Sequence, residues 1–255
     1  MLIPRLQAQL RYGAAQAMQA ISVPPFTLFY NADSDSLYSN YAIPDAFGEG
    51  DLTEAIATLK ATFYAHQRTP RLEYLEDFAP TLAAALEANG FRQEIRTLLM
   101  VCTPCSFRAA PVVPGLNIHP VNGDSPIADQ RAAVTVQDRS FGSEDAPEAS
   151  EEKARLFFKR FASQQLFLAK VDEQAVSVAS LMPAYDGIAE IAGVATLSAF
   201  RRCGIGAAIT GHAVQVAFGQ GVEVAFLTAM DERAGRVYTR VGFDALGAGL
   251  AFVEE

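Results

Sequence analysis

Arg201-Arg202-Cys203-Gly204-Ile205-Gly206-Ala207 constrains this chain more than any other stretch. An apolar run from Ile188 to Thr196 precedes it and reads as a strand; a second run, Ala207 to Phe218, follows and reads as a helix. Two glycines one residue apart at a strand-to-helix junction leave backbone N–H groups uncovered by side chains. Those N–H groups and the positive end of the helix make an anion site. Two adjacent arginines add charge, so the junction suits a phosphate or pyrophosphate.

The 255 residues are enough for one large core or two smaller ones. Half the chain is hydrophobic and 19% is charged, which is a globular composition. There is no uninterrupted apolar window of about 18 residues, so no membrane span is expected. Met1 to Ala20 carries Arg5, Gln7, Gln9 and Arg11 among its apolar residues. That is an amphipathic pattern, unlike a signal peptide, and a cytoplasmic location is the expectation. A net charge of −9 argues against general nucleic-acid binding, although local arginines still allow a small anionic ligand. Three cysteines do not make a disulfide framework.

Along the chain, residues 26–31 and 36–43 alternate apolar and polar around a turn-rich segment, a hairpin signal. Asp51 to Gln67 has helical spacing with Asp51 as its cap. Arg71 to Leu75 is a strand candidate. Phe78 to Asn89 reads as a helix stopped at Asn89-Gly90, and Ile95 to Cys102 as a strand. Pro104, Pro111, Pro114 and Gly115 mark residues 103–116 as a linker. Beyond it come helices over Ser125 to Phe141 and Glu152 to Ala162. Strands follow over Leu166–Val171, Ala175–Met182 and Ile188–Thr196. A helix from Gly204 to Gln220, a strand from Val222, a helix over Glu232 to Val241 and a strand over Leu250–Val253 complete the chain. Three antiparallel strands and then alternating helix and strand predict a mixed α/β sheet.

The two halves echo each other. Ala83 to Gly90-Phe91 and Ala234 to Gly242-Phe243 are both helices closed by Gly-Phe and followed by a strand, so the simplest account is two copies of one fold. The first copy has no arginine-glycine loop. Its nearest equivalent, Phe47-Gly48-Glu49-Gly50-Asp51, is acidic and would repel phosphate.

From about Leu116 onward the chain resembles the GNAT family of acyl-CoA-dependent N-acetyltransferases. Arg201-x-x-Gly204-x-Gly206 fits the family loop, and Ala234, Tyr238 and Gly242-Phe243 fit its C-terminal signature. The first half resembles a degenerate copy, which implies a tandem GNAT protein. The fold implied is α/β with a mixed α+β sheet, the acyl-CoA N-acyltransferase fold, divided at 1–110 and 111–255. The resemblance implies that Val194, Ala195 and Thr196 offer backbone groups to the pantetheine arm. It implies that Arg201, Arg202, Cys203, Gly204, Ile205, Gly206 and Ala207 wrap the diphosphate, and that Tyr238 protonates the departing thiolate. Glu190 is the candidate base that frees an ammonium acceptor of its proton. The Val194 N–H is the candidate donor to the carbonyl oxygen. Three positions depart from the family pattern: Ser198 for proline, Arg202 for a frequent glycine, and Asp231 for asparagine, which puts a negative charge near the cofactor region.

Plainer readings stand beside these. Gly-x-Gly alone also suits a nucleotide loop, but the dinucleotide fingerprint needs a glycine where Ile209 stands, and no Gly-Lys-Ser/Thr is present. Tyr238 also reads as a core aromatic and Glu190 as an exposed strand residue. Cys102-Thr-Pro-Cys105 reads as a strand end with two ordinary thiols, and Cys203 as a small spacer in the loop. His66, His119 and His212 are dispersed, so no metal is expected. The acidic segment Glu144 to Glu152 reads as a solvated loop.

The sequence therefore predicts an acetyltransferase using acetyl-CoA as co-substrate and a small amine or peptide as acceptor. No metal, nucleic acid or membrane partner is expected. The alternative is a non-catalytic acyl-CoA-binding or partner-binding module on the same fold. Dimerisation is common in such folds, and a homodimer is compatible with the sequence without being fixed by it.

Overall fold

A computed structural model describes residues 1–46 and 50–255. In chain order the elements are α1 (Leu2–Ala17), β1 (Gln19–Val23), β2 (Phe26–Tyr30), β3 (Asn40–Pro44), α2 (Thr53–Ala65), β4 (Arg71–Leu75), α3 (Leu82–Ala88) and β5 (Phe91–Cys102). Then come β6 (Leu116–Val121), α4 (Ile127–Phe141), α5 (Glu151–Arg160), β7 (Gln165–Val171), β8 (Gln174–Leu181) and β9 (Ile188–Thr196). Last are α6 (Ile205–Gly219), β10 (Val224–Ala229), α7 (Glu232–Thr239) and β11 (Asp244–Glu254).

The chain forms two compact units. The first comprises Met1–Leu99, Thr228–Asp231 and Ala245–Glu255; the second comprises Met100–Leu227 and Glu232–Asp244. These bounds differ from a single cut at residue 110, because the last strand belongs with the first unit. There β11 pairs antiparallel with β4, Gly249 opposite Leu75 and Val253 opposite Arg71.

The two halves of the chain repeat one order of elements. In the first, β1, β2 and β3 form an antiparallel meander, α2 crosses over, and β4 returns parallel to β3 through Ala42 and Leu72. In the second, β7, β8 and β9 form the meander, α6 crosses over, and β10 returns parallel to β9. A helix and a strand follow in each case: α3 and β5, then α7 and β11. The Gly-Phe echo is conformational as well. Gly90 and Gly242 close their helices at φ +80° and +100°, where a Cβ is disfavoured, and each is followed by a buried phenylalanine, Phe91 and Phe243.

The first core is built from Phe26, Leu28, Ile56, Phe63, Leu72, Leu86 and Phe252 among others, so α2 and α3 pack against the strands. Arg71 is buried beside Glu73 and Glu94, with Tyr38 stacked over its guanidinium. A buried arginine requires such partners. The second core packs Val134 and Ala133 of α4 and Phe158 of α5 against Leu166, Leu168, Val178 and Ala195. Phe167, the strand residue between Leu166 and Leu168, instead meets His212 of α6 at 5.0 Å. Alternation along β7 therefore puts α4 and α6 on opposite faces of the second unit's sheet. Among the described residues no helix is long and apolar enough to cross a membrane.

Residues 103–115 are not a free tether. Phe107 packs edge-on against Phe218 of α6, the Arg108 N–H donates to the Val241 carbonyl, and Ala110 lies against Gly211. The prolines fix an extended strap whose apolar side chains cover α6, in place of the solvated linker their spacing suggested.

Candidate functional site

The site is built around the end of β9. Its β8-facing ladder breaks there: Val178 pairs with Ala195 and Ser180 with Ala192, so Ala179 alone faces both Gly193 and Val194. That is a β-bulge, with Gly193 at φ +59°. On its other side β9 pairs with β10 only from Ile188 to Glu190, against Val224 to Phe226. Beyond Glu190 the two parallel strands part. The split exposes strand backbone on one edge, which is what an extended amide-bearing ligand needs in order to pair with it.

The bulge also decides which side chains face which helix. Ala195 and Val178 lie in the α4 core. Ser180, two residues from Val178, shares that face, as does its partner Ala192 and then Glu190. Without the extra residue Glu190 would point toward α6. Thr196 faces α6, and a Cβ on Gly206 would lie 3.7 Å from Thr196 Oγ1 and 3.6 Å from Val237 Cγ1. The first turn of α6, the end of β9 and the helix carrying Tyr238 thus meet at one point.

The loop between them has the shape its glycines suggested. Arg202 sits at φ +67° and Gly204 at φ +83°, with Arg201 extended between strand end and turn. Left-handed residues in such a turn aim successive N–H groups into a common concavity, and the opening N–H groups of α6 have no intrahelical acceptor. Arg202 occupies a conformation that favours glycine. Arg201, Arg202 and Cys203 are exposed, Gly204 and Gly206 are half-buried, and Ile205 and Ala207 are buried. The Arg201 side chain is turned back to the strand, its Nε donating to the Thr196 carbonyl at 3.0 Å. It acts as a strut for the loop and not as a projecting charge. The Cys203 thiol donates to the Arg201 carbonyl at 3.6 Å. Of the strand residues, Ala195 gives its carbonyl to Ser177 Oγ, while Val194 lies in the bulge.

Tyr238 stands in the last turn of α7. Its ring meets Phe243 edge-on at 6.2 Å, and its carbonyl accepts from the Val241 and Phe243 N–H groups. Burial pushes the phenol up to about 12, so the hydroxyl keeps its proton across the physiological range. Glu190 is half-buried at the last β9–β10 pair. It lies six residues before Thr196, about 20 Å along the strand and on the opposite face from α6. The structure therefore does not place Glu190 against the phosphate loop. It places it at the apex of the split.

The equivalent junction in the first unit is closed. The Gln7 side chain of α1 lies between the ends of β3 and β4, where Oε1 accepts from the Leu75 N–H at 3.0 Å and Nε2 donates to the Pro44 carbonyl at 3.4 Å. The chain's own amide occupies the position of an inserted peptide. Leu52, not Asp51, stands at the cap of α2 with no side-chain cap bond; Asp51 Oδ1 instead accepts from the Thr53 N–H at 2.9 Å in an Asx turn one residue earlier, and Thr53 holds its carboxylate below the usual range. Residues 47–49 of the acidic loop Phe47-Gly48-Glu49-Gly50-Asp51 lie outside the described residues. Sequence reasoning missed Gln7, reading it as part of a polar face.

Cys102 ends β5 and is buried, and Cys105 is exposed; both thiols are free. Among the described residues, no group of three or more His, Cys, Asp or Glu side chains is arranged to hold a metal ion.

Residues 133–243 match the Acetyltransferase (GNAT) family. Among solved structures, the fold is similar to a GCN5-related N-acetyltransferase from Kribbella flavida. That likeness has TM-score 0.81 at 24% identity and covers 99% of this chain and 95% of that one. It is also similar to a GCN5-related N-acetyltransferase from Sphaerobacter thermophilus, with TM-score 0.63 at 15% identity, covering 91% and 80%. A third likeness is to a tandem GNAT protein from the clavulanic acid biosynthesis pathway, with TM-score 0.63 at 14% identity, covering 90% and 78%. No curated protein matches this chain in sequence.

Proposed function

We propose that this chain, whose residues 133–243 match the Acetyltransferase (GNAT) family, belongs to that family and transfers the acetyl group of acetyl-CoA directly to a primary amine. Residues 111–255 would carry the transferase, and residues 1–110 are read as a copy that has lost its own site. The observation that carries this reading is the split after the Glu190–Phe226 pair, continuous in sequence with the left-handed loop at Arg202 and Gly204.

The pantetheine arm pairs with β9 at Val194, Ala195 and Thr196, and the diphosphate rests on the N–H groups of Arg201 to Ala207. The amine nitrogen attacks the thioester carbonyl carbon, and the amide C–N bond forms as the C–S bond breaks. The bulge N–H of Val194 holds the carbonyl oxygen while it carries negative charge. Glu190 takes the ammonium proton through water, Tyr238 gives its proton to the leaving sulfur, and the second proton leaving the nitrogen as the amide forms restores the Tyr238 phenol. With its pKa raised to about 12, Tyr238 keeps its proton across the physiological range and stands as a hydrogen-bond donor when charge develops on the sulfur.

The test is free-thiol release from acetyl-CoA with a panel of amines, alongside calorimetry with CoA. Binding with amine-dependent thiol release is the expected result. Binding without release across the panel would favour a non-catalytic acyl-CoA-binding module, and no binding would remove the loop assignment.

A further inference from the structure

Which acceptor this site takes is written around the bulge, on the face opposite α6. Gly193 has no side chain, and a Cβ built there would lie 3.7 Å from Gln137 Nε2 on α4 and 3.8 Å from Ser180 Oγ on β8. Two neutral polar groups from two different elements therefore converge on the residue next to the proposed carbonyl-holding N–H. The Gln137 side chain makes no hydrogen bond to another described residue and is only half-buried. Ser180 is 3% exposed. One helical turn beyond Gln137, Ser140 Oγ is buried without a hydrogen-bond partner among the described residues. Buried polar atoms are normally satisfied, and unmet capacity clustered on one strip of helix marks a place for a polar ligand or the water it displaces.

Resting on the transferase reading above, we propose that Gln137, Ser180 and Ser140 form the acceptor subsite, and that it takes a primary amine carrying a neutral oxygen function, a hydroxyl or a carboxamide. The Gln137 N–H donates to that oxygen, and the serine hydroxyls serve either role with it. A polyamine would set further ammonium groups against an amide and two hydroxyls that carry no charge, with Glu190 on the same face already engaged by the reacting amine. An alkylamine would bury the same groups unpaired, and a site built to bond an oxygen discriminates strongly against the analogue lacking it.

The probes are L-serinamide, ethanolamine, butylamine and spermidine, each scored by kcat/KM from thiol release. The expected result is that L-serinamide and ethanolamine exceed butylamine and spermidine by about tenfold or more, an amount one or two hydrogen bonds can supply. Gln137→Leu should raise the KM for L-serinamide and bring its ratio to butylamine close to one, which a merely structural role would not do. If Gln137→Leu does not fold, Ser180→Ala is read in the same way. Equal rates on all four amines in the unaltered protein, or an undiminished ratio in the variant, would overturn the subsite. No thiol release with any of the four, despite measurable acetyl-CoA binding, overturns the transferase reading and the subsite with it.

Discussion

The Ser106 carbonyl oxygen lies only 2.0 Å from where a Cβ on Gly242 would be. The strap after β5 therefore closes over the turn that ends α7, and the residue there can only be glycine. The second half of the Gly-Phe pair, Phe243, is fully buried behind it. Gly242→Ala is expected to cost about 3 kcal/mol or more, from left-handed strain and a backbone clash together. Gly90, its counterpart at φ +80°, has only Lys60 Nζ at 3.7 Å, so Gly90→Ala should cost about 1 kcal/mol. Thermal midpoints, falling about 2–4 °C per kcal/mol for domains of this size, would separate the two. Equal losses would mean that the strap does not press on Gly242.

Gln7→Ala should destabilise the protein by about 2–3 kcal/mol. It leaves a buried N–H at Leu75 and a carbonyl at Pro44 without their partner. Denaturant unfolding measures the loss. A change below about 0.5 kcal/mol, the level of an ordinary surface substitution, would show that water fills the gap freely.

Tyr238→Phe is expected to lower kcat by about a hundredfold or more while the calorimetric affinity for acetyl-CoA stays near its original value. A phenol with its pKa at about 12 gives no alkaline limb to the rate profile below about pH 11. Rates that fall between pH 8 and 10 in parallel with a tyrosine titration would contradict its assignment as the proton donor.

The same burial has a consequence for stability. Tyr238 and Tyr74 are both raised by desolvation, whereas in the unfolded chain each ionises near pH 10. Below pH 10 both states are protonated and neither tyrosine makes stability depend on pH. Above it the unfolded state sheds protons that the folded state retains, so stability should fall as pH rises from 10 toward 12. Each group contributes up to about 1.4 kcal/mol per pH unit. Tyr74→Phe should flatten that slope by one group, as read from denaturant midpoints at pH 9, 10 and 11.

Arg202→Gly should stabilise the fold by about 0.5–1 kcal/mol by relieving a positive φ, with any loss of CoA affinity confined to its charge. Gly204→Asp should abolish CoA binding, since φ +83° and Val113 Cγ2 at 3.4 Å leave a side chain strained and its carboxylate repels diphosphate. Retained micromolar affinity would refute the loop's role.

Much of the second unit was legible because its signals are local. The strand over Ile188–Thr196 has the bounds its apolar run predicts, and the helix after Gly204 begins one residue on. The Gly-x-Gly turn and the Gly-Phe echo could be read from the order of residues alone. β1 and β6 went unread, and β11 was seen only from Leu250 to Val253 although it runs from Asp244 to Glu254. Its Gly247 and Gly249 carry no periodic signal. Asp77 Oδ2 and Thr97 Oγ1 approach within 2.5 and 2.7 Å of where a Cβ would stand on them. The isolated Gly193 in a strand pattern was a usable sign of a bulge, but nothing in the sequence tells which neighbour faces it.

Order along the chain determined the alternation of strands and helices, the anion-binding turn and the doubling of the fold, since each depends on residues within a few positions of one another. Tertiary structure alone decided that Glu190 faces α4, that Arg201 braces Thr196 instead of reaching outward, that β11 completes the first unit, and that Gln7 fills the gap between β3 and β4. Those outcomes rest on a one-residue slip in pairing and on contacts between positions tens to hundreds of residues apart, where only packing selects the partner.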